Sequence, residues 1–302
     1  MGSYKQLLNL LSRDDSLRQL TEEEIRRLRE TFLQAYHDLA ECCEKHGLTL
    51  MLIGGSALGA VRHQGFIPWD DDLDAAMPRE DFEKLKEVFE QELGDRYILS
   101  SPNYKGNANN RFPMMLVKNT LLVEAGNQPE DEVSKIKIDL FIIENIPEGK
   151  IHRKIKGLWC TLLMAMGSYE DTWEHQNETF RKYMCKTPEG EKEYKRRIRL
   201  GSLFGWRNFQ QWMNKIDKAC QYCHTTSLMG IPSGRGHYFG EIRKRETFLP
   251  VSKGQFEGME VNLPGDPGDY LSNLYGADYM VLPPVEKRER HFIFDIKFDI
   301  HE

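Results

Sequence analysis

Between residues 70 and 74 the chain places four aspartates in five positions, Asp70, Asp71, Asp72 and Asp74, directly after Pro68 and Trp69. Carboxylates gathered this closely repel one another, and a fold that holds them together needs solvent or a cation to offset the charge. Trp69, Leu73 and Met77 interleave with the acids, which is the pattern of a half-buried strand rather than of a solvated acidic loop. Read as a strand, the segment points Asp70, Asp72 and Asp74 to one face. An EF-hand-type calcium loop fits poorly. Ala75 stands where such a loop needs glycine, Pro78 takes its ninth position, and Asp81 replaces its terminal glutamate. A helix-capping role fails as well, because the next helix begins after Pro78. Hard oxygen ligands of this kind favour magnesium, manganese or calcium over zinc.

A third ligand from a neighbouring strand completes such a site, and Asp139 is the candidate. It lies inside the apolar run Ile138-Asp139-Leu140-Phe141-Ile142-Ile143, where a carboxylate needs a metal or a cation as partner. A salt bridge to Lys118 or Lys137 is the plainer alternative, and Lys118 is also placed to meet a phosphate as a point charge. Upstream of the acids, Gly54-Gly55-Ser56 follows the apolar run 48–53, read as a strand, and opens a short helix ending near Arg62 and His63. Two glycines allow a sharp turn and close approach of a ligand to the backbone. Ser56 is placed to cap the helix or to meet a phosphate oxygen, and the helix N-terminus offers free N–H groups. Taken alone, a Gly-Gly-Ser turn is only a turn.

The net charge of −6 argues against broad nucleic-acid binding. Six cysteines scattered over 302 residues make no disulfide framework. Cys220 and Cys223 have the spacing of half a zinc site, with Cys160, Cys185 or His224 as the residues left to complete it; ordinary thiols are the plainer reading. No secretory signal is visible, and the longest apolar run, 157–167, is far short of the roughly 20 residues needed to cross a bilayer. The expected location is cytoplasmic, with peripheral contact at the inner face of the membrane as a further option.

Elsewhere the pattern predicts a helix over 21–46, with Thr21 and Glu24 forming a capping box. A second helix is expected from Arg79 to Leu93, burying Phe82, Leu85, Phe89 and Leu93 and stopped by Gly94. Ile136 to Ile143 reads as a strand. Residues 150–232 are helix-like and locally basic, notably over 195–199, where the run forms either a solvated face or a patch facing an anionic acceptor or a membrane. The organisation expected is a leader (1–20), a core bearing the acids (21–149), a helical insertion (150–232) and a segment that closes the core (233–302).

Together these residues resemble the LicD family, the phosphorylcholine-transferase-like branch of the nucleotidyltransferase superfamily. The stretch from Gly54 to Asp81 is similar to the family pattern, with Ala57 as a small departure. Ile138 to Phe141, Phe256-Glu257-Gly258, Tyr270-Leu271, Tyr275-Gly276, Asp278-Tyr279-Met280 and Leu282-Pro283-Pro284 match its later elements, so the likeness spans roughly residues 20–291. It implies an α+β fold of the polymerase-β-like nucleotidyltransferase type, a small mixed sheet flanked by helices. It also implies magnesium or manganese held by Asp72, Asp74 and Asp139, with the donor phosphates cradled at Gly54, Gly55 and Ser56.

The activity implied is transfer of phosphocholine, or a related phospho-alcohol, from a CDP-activated donor such as CDP-choline. The acceptor would be a lipopolysaccharide, a teichoic acid precursor or another surface glycan, and CMP would leave. Arg62, His63, Lys118 and Arg243 are the cations expected near the phosphates, Asp70 and Asp71 the residues that orient the ligands. Trp69, Trp206, Tyr238, Tyr270 and Tyr275 are the aromatics available to cage a quaternary ammonium. The same acids would serve a nucleotidyltransferase that moves a nucleoside monophosphate from a triphosphate. A protein that binds glycan or metal without catalysis, or an adaptor at a membrane surface, is the reading from another class.

Overall fold

A computed structural model describes residues 20–106, 108–124, 127–284, 288 and 293–300; nearly all of the expected leader lies outside them. The organising element is a ten-residue strand, β6 (Lys137–Ile146). Its sequence alternates: Ile138, Leu140 and Ile142 are buried on one face, while Lys137, Asp139 and Phe141 are half-buried on the other. The first half of β6 is flanked by β2 (Asp74–Pro78), which runs parallel to it, and by β4 (Met114–Val117), which runs antiparallel. Outside these lie β1 (Met51–Leu52) and β3 (Tyr97–Ser100), giving the order β1-β2-β6-β4-β3. The second half of β6 pairs with β7 (Leu228–Gly230), which pairs in turn with β8 (Arg243–Lys244). The sheet is thus mixed and the class α+β. The strand expected over 48–53 is reduced to two residues, because β1 finds its partner only at Ala75 and Ala76 of β2.

Helix α1 (Glu22–Lys45) starts at the capping box of Thr21 and Glu24 and buries Leu28, Phe32, Ala35 and Leu39. Helix α2 (Gly54–His63) joins β1 to the acidic segment. Helix α3 (Arg79–Leu93) follows β2 and buries Phe82, Leu85, Phe89 and Leu93, the apolar spacing that predicted it. These helices and the sheet share one core. Strand β5 (Leu121–Glu124) pairs with β11 (Ile293–Lys297), bringing the end of the chain back to the core.

Four helices follow, α4 (Lys150–His175), α5 (Glu178–Met184), α6 (Pro188–Phe204) and α7 (Phe209–Cys220), and α4 and α7, with Phe204 of α6, enclose a second core. That core includes Cys160, Leu163, Trp212, Met213 and Ile216, and is closed by Ile146 and Tyr238. Arg79 ties the two parts together. Its guanidinium donates to Glu144 on β6 (Nε to Oε1, 2.9 Å) and to Asp217 on α7 (2.6 Å). The remaining chain forms α8 (His237–Gly240), α9 (Arg245–Phe248), the hairpin β9 (Ser252–Phe256) and β10 (Met259–Leu263), and α10 (Pro267–Tyr275). Glu257 and Gly258 take positive φ at the hairpin turn, as a two-residue turn between twisted strands requires. The hairpin clasps the loop after α2: Phe66 N donates to Glu257 Oε1 (2.9 Å) and Glu257 N to Gln64 O (2.9 Å).

Candidate active site

Asp74 is the first residue of β2, and its register partner on the parallel neighbour β6 is Asp139. Adjacent strands in register put the two side chains on one face of the sheet, with Cβ atoms about 5 Å apart. Asp72 lies two residues upstream, on an irregular segment rather than on the strand. Here the expectation of a continuous strand through Asp70, Asp72 and Asp74 is corrected. Pro68 and Trp69 form a turn, with Asp70 N donating to Ile67 O (2.9 Å), and extended pairing begins only at Asp74. Proline at the second position of a turn fixes φ and supplies no N–H, so the strand cannot form there. Arg29 of α1 pins this turn by donating to Ile67 O and Pro68 O (both 3.1 Å).

The glycine turn faces the acids. A Cβ at Gly54 would lie 2.7 Å from Asp74 Oδ2, and one at Gly55 would lie 2.8 Å from Asp70 Oδ2. Gly54 also takes φ +55°, in the left-handed region. Ser56 does not cap the helix, whose N-cap is Ile53. It is buried in the first turn, where its hydroxyl oxygen accepts from Asp74 N (2.9 Å) and so fixes the start of β2. The amide of Gly54 is likewise engaged, donating to Tyr270 Oη (3.2 Å), and that hydroxyl donates to Glu241 Oε2 (3.0 Å). Burial raises the Glu241 carboxyl to about 7, although Tyr270, the Arg235 amide and the Arg235 charge pull it down. The turn is therefore held from behind by a buried Glu241–Tyr270 pair.

Cations and aromatic rings border the acids. Burial lowers the pKa of Arg62, while Tyr275 and Asp70 oppose that; its Nη1 donates to Tyr279 O (2.8 Å). Arg62 (6.0 Å) and Arg288 (4.1 Å) lie against the ring of Trp69, and the His63 ring meets its edge at 6.4 Å. Burial and the neighbouring Arg62 lower the pKa of His63. Burial, then the charges of Asp74, Asp70 and Asp72, raises the Tyr275 hydroxyl, partly offset by Arg235, whose guanidinium lies 5.6 Å from the Tyr275 ring.

Lys137, named in the sequence only as a salt-bridge partner, is the cation that accompanies the acids. Burial pulls its pKa down, but Glu124, Asp139 and Asp72 together hold it above the usual lysine value, and it is ion-paired with Glu124. Its spacing of two from Asp139 on a strand was the available signal. Phe141 is two residues beyond Asp139 on the same face and stacks on Phe112 (centroids 4.5 Å). Nothing in the sequence singled out Phe112, Arg235 or Arg288.

Other expected residues lie elsewhere. Lys118 is past the end of β4, four residues beyond the partner of Asp139, and donates to Gly94 O at the end of α3. Arg243 is taken up by Asp269 in a two-pronged ion pair. Trp206 sits in the helical region, and Tyr238 is buried in its core. Cys220 is buried and Cys223 exposed. Among the described residues, the one trio of His, Cys, Asp or Glu with ligand atoms within 4.8 Å of one another is His37, Asp38 and Glu41 on α1. Cys160 meets Cys220 in the second core, but among the described residues no third ligand joins them within that distance. Asp74 and Asp139 share one face of the sheet, and the charges of Asp139 and Asp72 both act on Lys137.

The arrangement defines a class: an α+β protein with aspartates from a loop and two neighbouring strands set against a glycine turn. Residues 47–122, which hold the glycine turn and the four clustered aspartates but not Asp139, match the family model described as LicD/FKTN/FKRP, nucleotidyltransferase domain. The chain is 28% identical over 295 residues to the lipopolysaccharide cholinephosphotransferase LicD of Haemophilus influenzae, covering 92% of this chain and 98% of that protein. It is also 35% identical over 78 residues to an uncharacterized protein of Rickettsia prowazekii, covering 24% of this chain and 29% of that one. The chain is thus similar to a LicD-type domain over residues 47–122 and, over most of its length, to a cholinephosphotransferase.

Proposed function

We propose that this chain transfers phosphocholine, or a closely related phospho-alcohol, from a CDP-activated donor to a surface glycan, with lipopolysaccharide the first acceptor to test and a teichoic acid precursor the second. The observation that carries this reading is the register pairing of Asp74 with Asp139 beside the glycine turn. It occurs in a chain similar over nearly its whole length to a lipopolysaccharide cholinephosphotransferase.

The donor set fits a divalent cation. It consists of hard carboxylate oxygens from a loop and two strands, next to a glycine whose Cβ would crowd Asp74. Asp72, Asp74 and Asp139 would hold magnesium or manganese, which when bound offsets negative charge on the donor diphosphate and on the departing phosphate. The acceptor hydroxyl attacks the phosphorus that carries choline. A new oxygen–phosphorus bond forms in line with the one that breaks, and CMP leaves with the bonding electron pair. Asp139 is placed to take the hydroxyl proton. Arg62, beside Asp70 and Trp69, meets the leaving phosphate. Trp69, Tyr275 and Phe141 offer ring faces to a quaternary ammonium.

The test is product analysis. The purified protein with CDP-choline, magnesium and lipopolysaccharide lacking phosphocholine should release CMP and label the acceptor, and Asp72→Asn should do neither while remaining folded. Pyrophosphate release from a nucleoside triphosphate, without CMP release from CDP-choline, would favour the nucleotidyltransferase reading instead. Binding of glycan without turnover would reduce the chain to a non-catalytic relative.

A further inference from the structure

Helix α4 is apolar on both sides. Its inner side, with Cys160, Leu163 and Met164, packs in the second core. Its outer side carries Ile151, Ile155, Leu158, Trp159 and Leu162, exposed by between 49% (Trp159) and 78% (Ile151). These positions recur at steps of three and four, so they form one stripe down the middle of the solvent face over about three turns. Tyr169, further along the same face, is covered by Arg196 and Arg197 of α6, which leaves the stripe open only over its first half. A monomer rarely leaves a contiguous apolar patch of this kind without a use for it.

The charge around the stripe selects its partner. From residue 150 to 169 the chain has four Lys or Arg side chains and no Asp or Glu, in a protein whose net charge is −6. Lys150 and Lys154 are exposed along one border. On the other, Lys215 of α7 lies 6.0 Å from the Trp159 ring, and the exposed Lys218 follows one turn later. A second copy docked face to face would bring these lysines against one another. Nucleic acid would leave the leucines and isoleucines in water. An anionic lipid surface satisfies both, taking the apolar stripe into the acyl boundary and the lysines to the headgroups. No described helix is long and apolar enough to cross a membrane, so the contact lies in the plane of the interface.

The more basic run at 195–199, which the sequence offered for such a role, is largely used within the protein. Lys195 pairs with Glu191, Arg196 with Glu193, and Arg197 donates to Thr172 and Ser168. We infer that the exposed face of α4, over 151–162, is a docking surface for a bilayer containing anionic phospholipid. The segment 235–240 links this helix to the acids: Arg235 lies against Tyr275, and Phe239 packs at Gly157 of α4.

The experiment is co-sedimentation of the full chain with phosphatidylcholine vesicles and with mixed phosphatidylcholine–phosphatidylglycerol vesicles. Binding is expected to the mixed vesicles and to fall as salt is raised. The pair Leu158→Ser and Leu162→Ser removes only exposed side chains and should weaken binding at least about tenfold with an unchanged melting temperature. Lys150→Glu with Lys154→Glu should weaken binding to the mixed vesicles alone. Asp72→Asn should bind as the wild type does, which separates this inference from the transfer reading. Equal binding by the leucine variant, no binding to either vesicle, or a dimer in solution that the leucine variant splits would each overturn it.

Discussion

Asp74 and Asp139 stand level with each other on adjacent parallel strands, although the chain makes a helix and three further strands between them. Parallel neighbours require such a crossover, so this pair exists only once the sheet is assembled. Replacing either by asparagine preserves size and strand pairing but removes a charge from the shared space. Asp74→Asn and Asp139→Asn should each reduce CMP release from CDP-choline by roughly a hundredfold or more, the scale of several kcal/mol of charge stabilisation. Circular dichroism melting should be close to that of the wild type. Retained turnover in either variant would remove that residue from the proposed chemistry.

Gly54 and Gly55 separate two reasons for being glycine. Both lie against a carboxylate oxygen, but only Gly54 has a positive φ. Gly54→Ala should therefore lose about 1–2 kcal/mol of stability along with activity. Gly55→Ala should lose activity through displacement of Asp70 with little change in urea midpoint. Equal stability loss in the two variants would contradict this account.

Glu241 gives the stability a pH dependence. In the folded protein its carboxyl titrates at about 7, raised from an ordinary 4.5 by burial. Between these values the folded state binds more proton than the unfolded one, so stability falls as pH rises from about 4.5 through 7. Glu241→Gln keeps a neutral amide against Tyr270 and the Arg235 amide and should flatten this slope. Thermal melts at pH 5 and pH 8 check it, and an unchanged slope in the variant would assign the dependence elsewhere.

Arg79 holds two buried acids, Glu144 and Asp217, and with them the helical region against the sheet. Arg79→Ala leaves both carboxylates without their cation and should cost about 3–5 kcal/mol in urea unfolding. Arg79→Lys keeps the charge but loses the planar fork, and should recover part of that loss. A loss below about 1 kcal/mol for the alanine variant would show that water reaches the pair.

The helices were legible because their signals are local. A capping box at Thr21 and Glu24, and apolar residues at steps of three and four between Arg79 and Leu93, act within one or two turns of chain and survive any tertiary arrangement. The acid cluster, its glycine turn and the strand bearing Asp139 were readable for a related reason: burying a carboxylate among isoleucines needs a compensating partner wherever it falls.

Partners chosen across the fold were not readable. The sequence offered Lys118 as a cation for the site, yet four residues of strand carry it away to Gly94, while Lys137 sits beside Asp139 and Asp72. It offered Ser56 as a cap or phosphate contact, yet burial turns its hydroxyl to the Asp74 amide. It marked the basic run of α6, but ion pairs along α6 and the bonds of Arg197 to α4 take up much of that charge, while a different, apolar face is exposed. Periodicity and charge density are properties of neighbouring residues and are fixed by the chain itself. Which side chain meets which across the sheet depends on strand register and helix packing, and only the folded molecule sets those.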